Sequence, residues 1–171
     1  MSLLRPVVER DLALLLEWRN HEENRSMMLT QSRIEYADHL SWFQRTQVEG
    51  KKVLLVYEEQ GQPLGHVNFS GAQAGQVVEW GFYTSPQAAK GTGLRMGMAA
   101  LKLAFNQYRI HKICGAVLAF NVASLAYHQR LGFSREGEQR GQIQVETQYV
   151  NLIHFGLLRS EWLHSQEKSN E

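Results

Sequence analysis

The chain has 171 residues, of which 43% are hydrophobic and 20% are charged, a balance typical of one globular domain. Its 18 basic and 17 acidic residues give a formal net charge of +1, which argues against nucleic acid as a main partner because phosphate-backbone binding needs a basic surface. No apolar run approaches the ~20 residues that span a bilayer, and the first residues lack the basic flank and long apolar stretch of a signal peptide.

The first part of the chain predicts a strand, two helices and then three more strands. Leu3–Val8 is predicted as a short strand, and a helix opens at Asp11 with apolar residues at helical spacing, namely Leu12, Leu15, Leu16 and Trp18. A second helix is predicted from about Ile34 to Gln47. Glycines mark the turns between three further strands, Val53–Glu58, Leu64–Ser70 and Val77–Thr84.

The second part predicts an alternation of helices and strands. A long helix follows Pro86, because apolar residues recur at steps of four and three, at Leu94, Met98, Leu101, Phe105 and Tyr108. Lys112–Leu118 is a short apolar run of strand length. Asn121–Leu131 is predicted as a helix that Gly132 closes. Phe133–Gln139 and Tyr149–Leu158 are predicted as a final pair of strands.

This order predicts an α/β (α+β) fold, with a mixed central sheet of about seven strands flanked by about four helices. The strand–helix–strand unit around residues 77–118 must be parallel, since a helical crossover joins its strands. We expect a single domain over residues 1–162 and a polar, disordered tail over residues 163–171.

A glycine-rich loop, Lys90-Gly91-Thr92-Gly93, lies between a predicted strand and a predicted helix. Glycines at such a place allow backbone N–H groups to approach a phosphate, and the helix N-terminus favours the negative charge. A glycine-rich turn without a ligand is the alternative. Other phosphate loops match less well: the order G-x-x-x-x-G-K-[ST] is absent, and Met96 replaces the third glycine of G-x-G-x-x-G.

Two segments identify a family. The run WGFYTSPQAAKGTG, followed about thirty residues later by NVASLAYHQRLGF, resembles the acetyl-CoA motifs of GNAT acetyltransferases. The resemblance implies that acetyl-CoA is the co-substrate and that pantetheine pairs with the strand at Trp80, Gly81 and Phe82. It implies that the pyrophosphate lies on a loop made of Ala88, Ala89, Lys90, Gly91, Thr92 and Gly93, and that Asn121, Ser124 and Tyr127 lie near the thiol.

One position departs from the family pattern. Where the family commonly has Gln or Arg, three residues before the first loop glycine, this chain has Ala88. Backbone amides can still hold the phosphates, so we expect binding to survive, with Lys90 or Arg95 as replacement for the missing side-chain contact.

The resemblance also assigns catalytic roles. Tyr127 resembles the family's general acid, which protonates the departing thiolate; a tyrosine that fills the core under Gly132 is the alternative. Asn121 starts its helix, so an N-cap role is compatible with a pantetheine contact. Backbone N–H groups from Trp80 to Phe82 could polarise the thioester carbonyl.

The general base remains open between three candidates. Strand alternation puts Val78, Trp80 and Phe82 on one face and directs Glu79 and Tyr83 toward the cleft. Glu79 could then accept the amine proton directly or through water. His39 is the rival, since it titrates near neutrality. A solvated strand residue is the alternative for Glu79.

Four further segments narrow the resemblance. EWRNH at Glu17–His21, DHLSWF at Asp38–Phe43, EWGFY at Glu79–Tyr83 and GLLRSEW at Gly156–Trp162 resemble the nucleotide-sugar N-acetyltransferases of pseudaminic acid biosynthesis, a route to the sugar on flagellin. Those enzymes acetylate the 4-amino group of a UDP-linked 4-amino-4,6-dideoxy sugar. The resemblance implies acceptor contacts from Arg19, His39, Ser70 and Tyr83. The Arg19 guanidinium suits a diphosphate, and a salt bridge to Glu22 or Glu23 is its alternative role.

Other acceptors stay open. Acetyltransferases of ribosomal-protein N-termini share GLLRSEW-like endings, a polyamine is a third kind of acceptor, and a silent acyl-CoA-binding module is a further reading that the presence of Tyr127 disfavours. No histidine has metal-ligand spacing, so we expect no metal. The single cysteine, Cys114, cannot form an internal disulfide, so we expect a cytoplasmic protein. The sequence leaves the oligomeric state open, a homodimer included.

Overall fold

A mixed seven-stranded sheet organises the fold, which the computed structural model describes over residues 2–168. The strands are β1 Ser2–Pro6, β2 Val53–Glu59, β3 Gln62–Phe69, β4 Val77–Thr84, β5 Lys112–Leu118, β6 Ser134–Val145 and β7 Gln148–Leu158. Their order in the sheet is β1-β2-β3-β4-β5-β7-β6. Only β4 and β5 are parallel among these neighbours, as the crossover between them requires. The α/β class and the mixed seven-stranded sheet are confirmed.

Six helices accompany the sheet in the described part of the chain, where the sequence predicted about four. They are α1 Leu12–Asn20, α2 Glu22–Arg25, α3 Tyr36–Glu49, α4 Thr92–Lys102, α5 Val122–Arg130 and α6 Arg159–Lys168. A π-helical turn, Leu103–Gln107, continues α4. The two helices that the sequence did not predict are the single-turn α2 and the terminal α6. None of the described helices is long and apolar enough to cross a membrane.

The terminal helix corrects the prediction of a disordered tail for residues 163–168. Trp162 is buried against Phe105, with their ring centroids 6.0 Å apart, and this contact anchors the helix to the core. The Glu161 carboxylate accepts a hydrogen bond from the Leu158 amide at 2.9 Å and so caps the first turn. Residues 169–171 of the predicted tail lie outside the described residues.

The helices cover both faces of the sheet, as the burial of β2 demonstrates. Leu54 and Val56 pack with α1 and α3, whereas Leu55 and Tyr57 belong to the larger core with α4 on the opposite face. Since successive strand residues point to opposite faces, these two hydrophobic clusters lie on opposite sides of the sheet.

The β6–β7 hairpin is longer than the sequence predicted. β6 continues past Gln139 to Val145 and turns at Glu146, which has a positive φ of 52°. Most of the added residues are polar and exposed, so they lack the apolar alternation by which a half-buried strand is recognised.

The central feature for function is the separation of β4 from β5. The two strands pair only at Val77↔Lys112, Val78↔Ile113 and Glu79↔Cys114. Beyond that point, β4 stays paired with β3 and β5 stays paired with β7. The strands therefore diverge and leave backbone groups facing each other across a gap.

Candidate active site

The gap between β4 and β5 forms a cavity of about 430 Å³, which we call the inter-strand cleft. Most of its wall comes from β4, β5, the start of α4 and α5. The lining residues are Trp80, Gly81, Phe82, Tyr83, Thr84, Gly93, Met96, Gly115, Ala116, Val117, Asn121, Ala123, Ser124, Tyr127 and His128, with Glu23, Asn24, Met27, Met28 and Leu29 at one side. The sequence predicted several of these together, namely Trp80, Gly81, Phe82, Gly93, Asn121, Ser124 and Tyr127.

A hydrogen-bonded pair of rings fills the base of this cleft. Trp80 Nε1–H donates to His128 Nε2 at 3.2 Å, and His128 Nδ1–H donates to the Ser124 carbonyl at 2.8 Å. A Cβ atom on Gly115 would lie 2.5 Å from His128 Nε2, so only glycine fits where this bond passes over β5. Both nitrogens of His128 are engaged and burial lowers its pKa, so His128 is a neutral structural group. No pattern in the sequence predicted this hydrogen-bonded pair.

The glycine loop leads into α4 with only part of its amides free, because the Ala88 and Thr92 amides already donate to carbonyls of the same segment. Gly91, the residue before the first turn of α4, has a φ of 90°, which favours glycine, and no side chain caps the helix. The N–H groups in the first turn of a helix have no intrahelical acceptor, so this terminus can accept an anion. Arg95 binds both oxygens of Glu59, at 2.6 and 3.1 Å, and is committed to that ion pair. Lys90 is exposed and is the freer cation of the two.

Tyr127 connects the loop to the cleft. Its hydroxyl donates a hydrogen bond to the Gly93 carbonyl at 3.0 Å, and its ring packs against Trp80 and Phe82, with centroids 6.2 and 4.8 Å away. Burial raises the pKa of the phenol, so it stays protonated. Asn121 accepts the Ser124 amide at 3.1 Å, which confirms its position as N-cap of α5.

A second cavity, of about 410 Å³, lies on the opposite face of the sheet under α1 and α3, and we call it the α1–α3 cavity. Its lining residues are Val7, Leu12, Leu15, Arg19, Ile34, Asp38, His39, Trp42, Arg45, Leu54, His66, Asn68 and Tyr83. Tyr83 lines both cavities, so they adjoin at this residue. The Asn68 side chain lies against Gly81, where a Cβ would meet it at 2.9 Å.

The charged groups of this cavity are mainly cationic. Arg19 and Arg45 line it together with one carboxylate, Asp38. Nη2 of Arg19 donates to the Thr30 carbonyl at 2.6 Å, and within residues 2–168 Nη1 is buried without a hydrogen-bond partner. Glu22 pairs with Arg25 at 3.4 Å, and no ion pair joins Arg19 to Glu22 or Glu23 over the same residues. The alternative role of Arg19 as a surface salt bridge is therefore wrong.

His39 packs beside this arginine. Its ring stacks on Trp42 with centroids 5.4 Å apart, and its Nε2 is buried with no partner in the described chain. Burial first, and then the Arg19 charge, lower the pKa of His39, so the imidazole is neutral near pH 7.

Seven of the residues predicted for the site lie outside both cavities, namely Ser70, Glu79 and the loop residues Ala88, Ala89, Lys90, Gly91 and Thr92. Ser70 Oγ accepts the Glu79 amide at 2.8 Å, and the Ser70 amide donates to the Glu79 carbonyl at 2.9 Å. The Glu79 side chain is exposed, in the part of β4 that still pairs with β5. Tyr83 lines both cavities, whereas Glu79, which alternation puts on the same face of β4, stands before the strands diverge. The sequence missed His66, Asn68 and Arg45.

The described residues contain no cluster of three or more His, Cys, Asp or Glu side chains that could hold a metal ion. The site consists of two adjoining cavities that differ in their chemistry. One has free backbone amides and a neutral tyrosine, and the other has cationic and histidine side chains.

Comparison with known proteins identifies the family to which the chain belongs. A family model described as an acetyltransferase (GNAT) domain matches residues 2–134. An uncharacterised SPbeta prophage-derived N-acetyltransferase from Bacillus subtilis is 31% identical over 86 residues, and the match spans about half of each protein, 48% of this chain and 49% of the relative.

Two further similarities cover more of the chain. An L-methionine sulfoximine/L-methionine sulfone acetyltransferase from Pseudomonas paraeruginosa is 24% identical over 139 residues, 78% of this chain and 80% of that protein. The structure of a spermidine N-acetyltransferase from Vibrio cholerae, in complex with CoA and spermine, matches with a TM-score of 0.87 at 19% identity, over 95% of this chain and 98% of that one. The chain therefore belongs to the GNAT acetyltransferase family and is an acetyl-CoA-dependent N-acetyltransferase.

Proposed function

We propose that the protein transfers the acetyl group of acetyl-CoA directly to the amine of a small molecule, through a ternary complex, and that this amine is the 4-amino group of a UDP-linked amino sugar. The supporting observation is that two cavities on opposite faces of the sheet adjoin at Tyr83. Donor and acceptor can then be bound together, and the reacting atoms can meet without a covalent enzyme intermediate.

The inter-strand cleft receives the donor. Backbone amides of residues 88–93 and the N-terminus of α4 bind the pyrophosphate, and the unpaired edge of β4 hydrogen-bonds pantetheine along Trp80–Phe82. Asn121 and Ser124 line the opposite wall beside the arm. An amide of β4 polarises the thioester carbonyl, because it already points across the gap.

Acetyl transfer needs one proton to move to the thiol. The amine nitrogen attacks the carbonyl carbon, the C–S bond breaks, and Tyr127 donates its phenolic proton to the departing sulfur. Its hydroxyl now donates to Gly93, so this proton must turn from the Gly93 carbonyl to the thiolate. The raised pKa ensures that the phenol carries its proton at every working pH.

The α1–α3 cavity receives the acceptor. Arg19 and Arg45 outnumber Asp38 among its charged groups, which favours an acceptor with phosphate groups over a polycation. Among residues 2–168, one buried nitrogen of Arg19 has no hydrogen-bond partner, and His39 with Trp42 forms an aromatic wall against which a uracil can stack.

Two alternative acceptors follow from other observations. The Vibrio cholerae protein was solved with spermine, which keeps a polyamine as an alternative, although the Arg19 and Arg45 charges oppose it. The N-terminus of a protein, as in ribosomal-protein acetyltransferases, is the other. A silent acyl-CoA-binding module is disfavoured, because Tyr127 stands in the cleft.

A substrate panel tests the proposal. The enzyme is incubated with acetyl-CoA and UDP-amino sugars, polyamines, free amino acids or peptides, and thiol release is followed. We expect the highest kcat/KM for a UDP-linked 4-amino sugar and the lowest for spermine. A peptide or polyamine turned over in preference to every nucleotide sugar would overturn the acceptor. No thiol release with any amine would overturn the transferase mechanism.

A further inference from the structure

His66 is a buried histidine on β3 to which neither the sequence motifs nor the proposed mechanism gives a role; it is 4% exposed. Its Nδ1 lies 3.0 Å from the Leu55 carbonyl oxygen. Because a carbonyl oxygen can only accept a hydrogen bond, Nδ1 carries the proton in this contact. The tautomer is thereby fixed, and Nε2 carries the lone pair.

The free nitrogen belongs to the wall of the α1–α3 cavity. Within the described residues the ring of His66 makes its hydrogen bond through Nδ1, and no carboxylate pairs with it. The groups that face His66 are Tyr83 on β4, at 5.1 Å between ring centroids, His39 on α3 and, behind His39, Arg19 on α1. Asp38 of α3 lines the same cavity.

The position of His66 along β3 places it at the junction of the two cavities. His66 is the register partner of Tyr83, the residue at which the two cavities adjoin. An amine that lies in the α1–α3 cavity at Tyr83, next to the inter-strand cleft, therefore also lies beside His66. This step rests on the proposed function, since it assumes that the acceptor enters from this side.

The other candidate bases, Glu79, His39 and Asp38, are less well placed to contact the amine. Glu79 lines neither cavity. Nε2 of His39 is buried from solvent behind its stack on Trp42. Asp38 projects from α3, on the far wall from the sheet.

We propose that Nε2 of His66 is the general base that accepts the proton of the attacking amine. The nitrogen–carbon bond forms, the carbon–sulfur bond breaks, one amine proton passes to His66, and the sulfur takes its proton from Tyr127. Charge and atoms balance, because His66 later returns its proton to solvent and Tyr127 regains one.

The basicity of His66 determines when it can accept the proton of the amine. Burial lowers its pKa to about 4, so the ring is already unprotonated near neutral pH. Such a base does not deprotonate a free ammonium ion. It accepts the proton only as the new bond makes the amine nitrogen strongly acidic, and the amine must enter neutral.

The test is a pair of matched glutamine variants. His66→Gln can keep a hydrogen bond to Leu55 but cannot accept a proton, and we expect kcat to fall by ~10²–10⁴-fold with both KM values nearly unchanged. His154→Gln is the control, since His154 lies on β7, bonds Gln139 at 2.7 Å and lines neither cavity. The control should keep wild-type kcat.

Chemical rescue separates a base from a structural group. Imidazole added to His66→Ala should restore turnover in proportion to its neutral form, whereas His154→Ala should not respond. Unchanged kcat in His66→Gln would overturn the proposal, as would a loss seen only in KM. A His66→Ala variant that folds, as judged by circular dichroism, and that imidazole does not rescue would also overturn it.

The probe is the UDP-linked 4-amino-4,6-dideoxy sugar. If the wild-type enzyme does not acetylate that sugar, the best amine of the panel replaces it. That outcome contradicts the proposed acceptor, whereas the comparison of His66→Gln with His154→Gln still decides the role of His66.

Discussion

The inter-strand cleft and the α1–α3 cavity are similar in size but differ in how the chain builds them. Most of the cleft wall comes from two short segments, residues 80–96 and 115–128. The cavity collects single residues from α1, α3 and strands β2 to β4, together with Val7 and Ile34 outside the regular elements. A site carried by contiguous segments can be recognised from sequence, while a site assembled from distant residues depends on the register of the sheet.

The interactions that hold the inter-strand cleft and the α1–α3 cavity in place also differ. The cleft is set by packed rings, with the Trp80–His128 bond at its base. The segment between α2 and α3 beside the cavity has no regular structure and is held by side-chain hydrogen bonds to backbone carbonyls, Arg19 to Thr30 at 2.6 Å and Arg25 to Gln31 at 3.0 Å. The same segment also carries Met27, Met28 and Leu29, which line the inter-strand cleft, so these polar contacts lie between the two cavities.

The largest expected effect comes from the cleft side. Tyr127→Phe keeps the ring packing against Trp80 and Phe82 but removes the proton donor, so we expect kcat to fall by ~10²–10⁴-fold with donor affinity unchanged. Steady-state kinetics over a range of pH measure it. Tyr149→Phe, on the exposed β6–β7 hairpin, is the control. Full activity of Tyr127→Phe at all pH values would mean that solvent protonates the thiolate.

The next effect concerns donor binding alone. Gly91→Val should raise the KM for acetyl-CoA by about 100-fold, since a branched side chain at a φ of 90° both strains the loop and blocks the approach of a phosphate. Gly75→Val is the matched control, with a φ of 81°, open space around its Cβ position and no place in either cavity. Equal donor affinity in the two folded variants would contradict the loop as the pyrophosphate site.

Arg19→Ala tests the other side of the comparison. We expect the KM for the UDP-amino sugar to rise by about ten- to a hundredfold, because a charge-assisted hydrogen bond is worth roughly 1.5–3 kcal/mol, while the KM for acetyl-CoA stays constant. Arg19→Lys should restore little if the contact is bidentate. Arg25→Ala is the control, since it frees the same segment at Gln31 without removing a cavity charge. Equal acceptor KM values in both alanine variants would assign Arg19 a purely structural role.

The difference between contiguous segments and residues from distant elements also explains how much of the site the sequence could predict. The glycine loop and the helix of Asn121 and Tyr127 are local patterns, and the structure brings Gly93 of that loop and this helix to one cleft. Alternation gave the face of Glu79 but not the point where β4 leaves β5, which depends on how long each strand stays paired with its outer neighbour. His66 has no distinguishing neighbours in sequence, and only its register with Tyr83 brings it to the junction of the two cavities.

The smallest expected effect concerns the attachment of α1, a wall of the α1–α3 cavity. Asp11 accepts hydrogen bonds from both terminal nitrogens of Arg5, at 2.7 and 2.9 Å, and from the Val8 amide at 2.9 Å, which ties the start of α1 to β1. The Arg5 guanidinium lowers the pKa of Asp11 below its usual value near 3.8. A carboxylate with a lowered pKa stabilises the fold above its unfolded pKa, and this contribution disappears as pH falls through the folded pKa.

Asp11→Asn should therefore lower the free energy of unfolding by about 2 kcal/mol at pH 7, and the difference from wild type should shrink as pH falls below about 4. Urea titrations at several pH values measure it. Glu22→Gln, in an exposed pair with Arg25, should change stability by less than about 0.5 kcal/mol. Where the variant is folded, we expect a raised KM for the acceptor and an unchanged KM for acetyl-CoA, because Leu12, Leu15 and Arg19 of α1 line only the α1–α3 cavity. An equal rise in both KM values would mean that the two sides of the sheet are mechanically coupled, and the separation of donor from acceptor binding would fail.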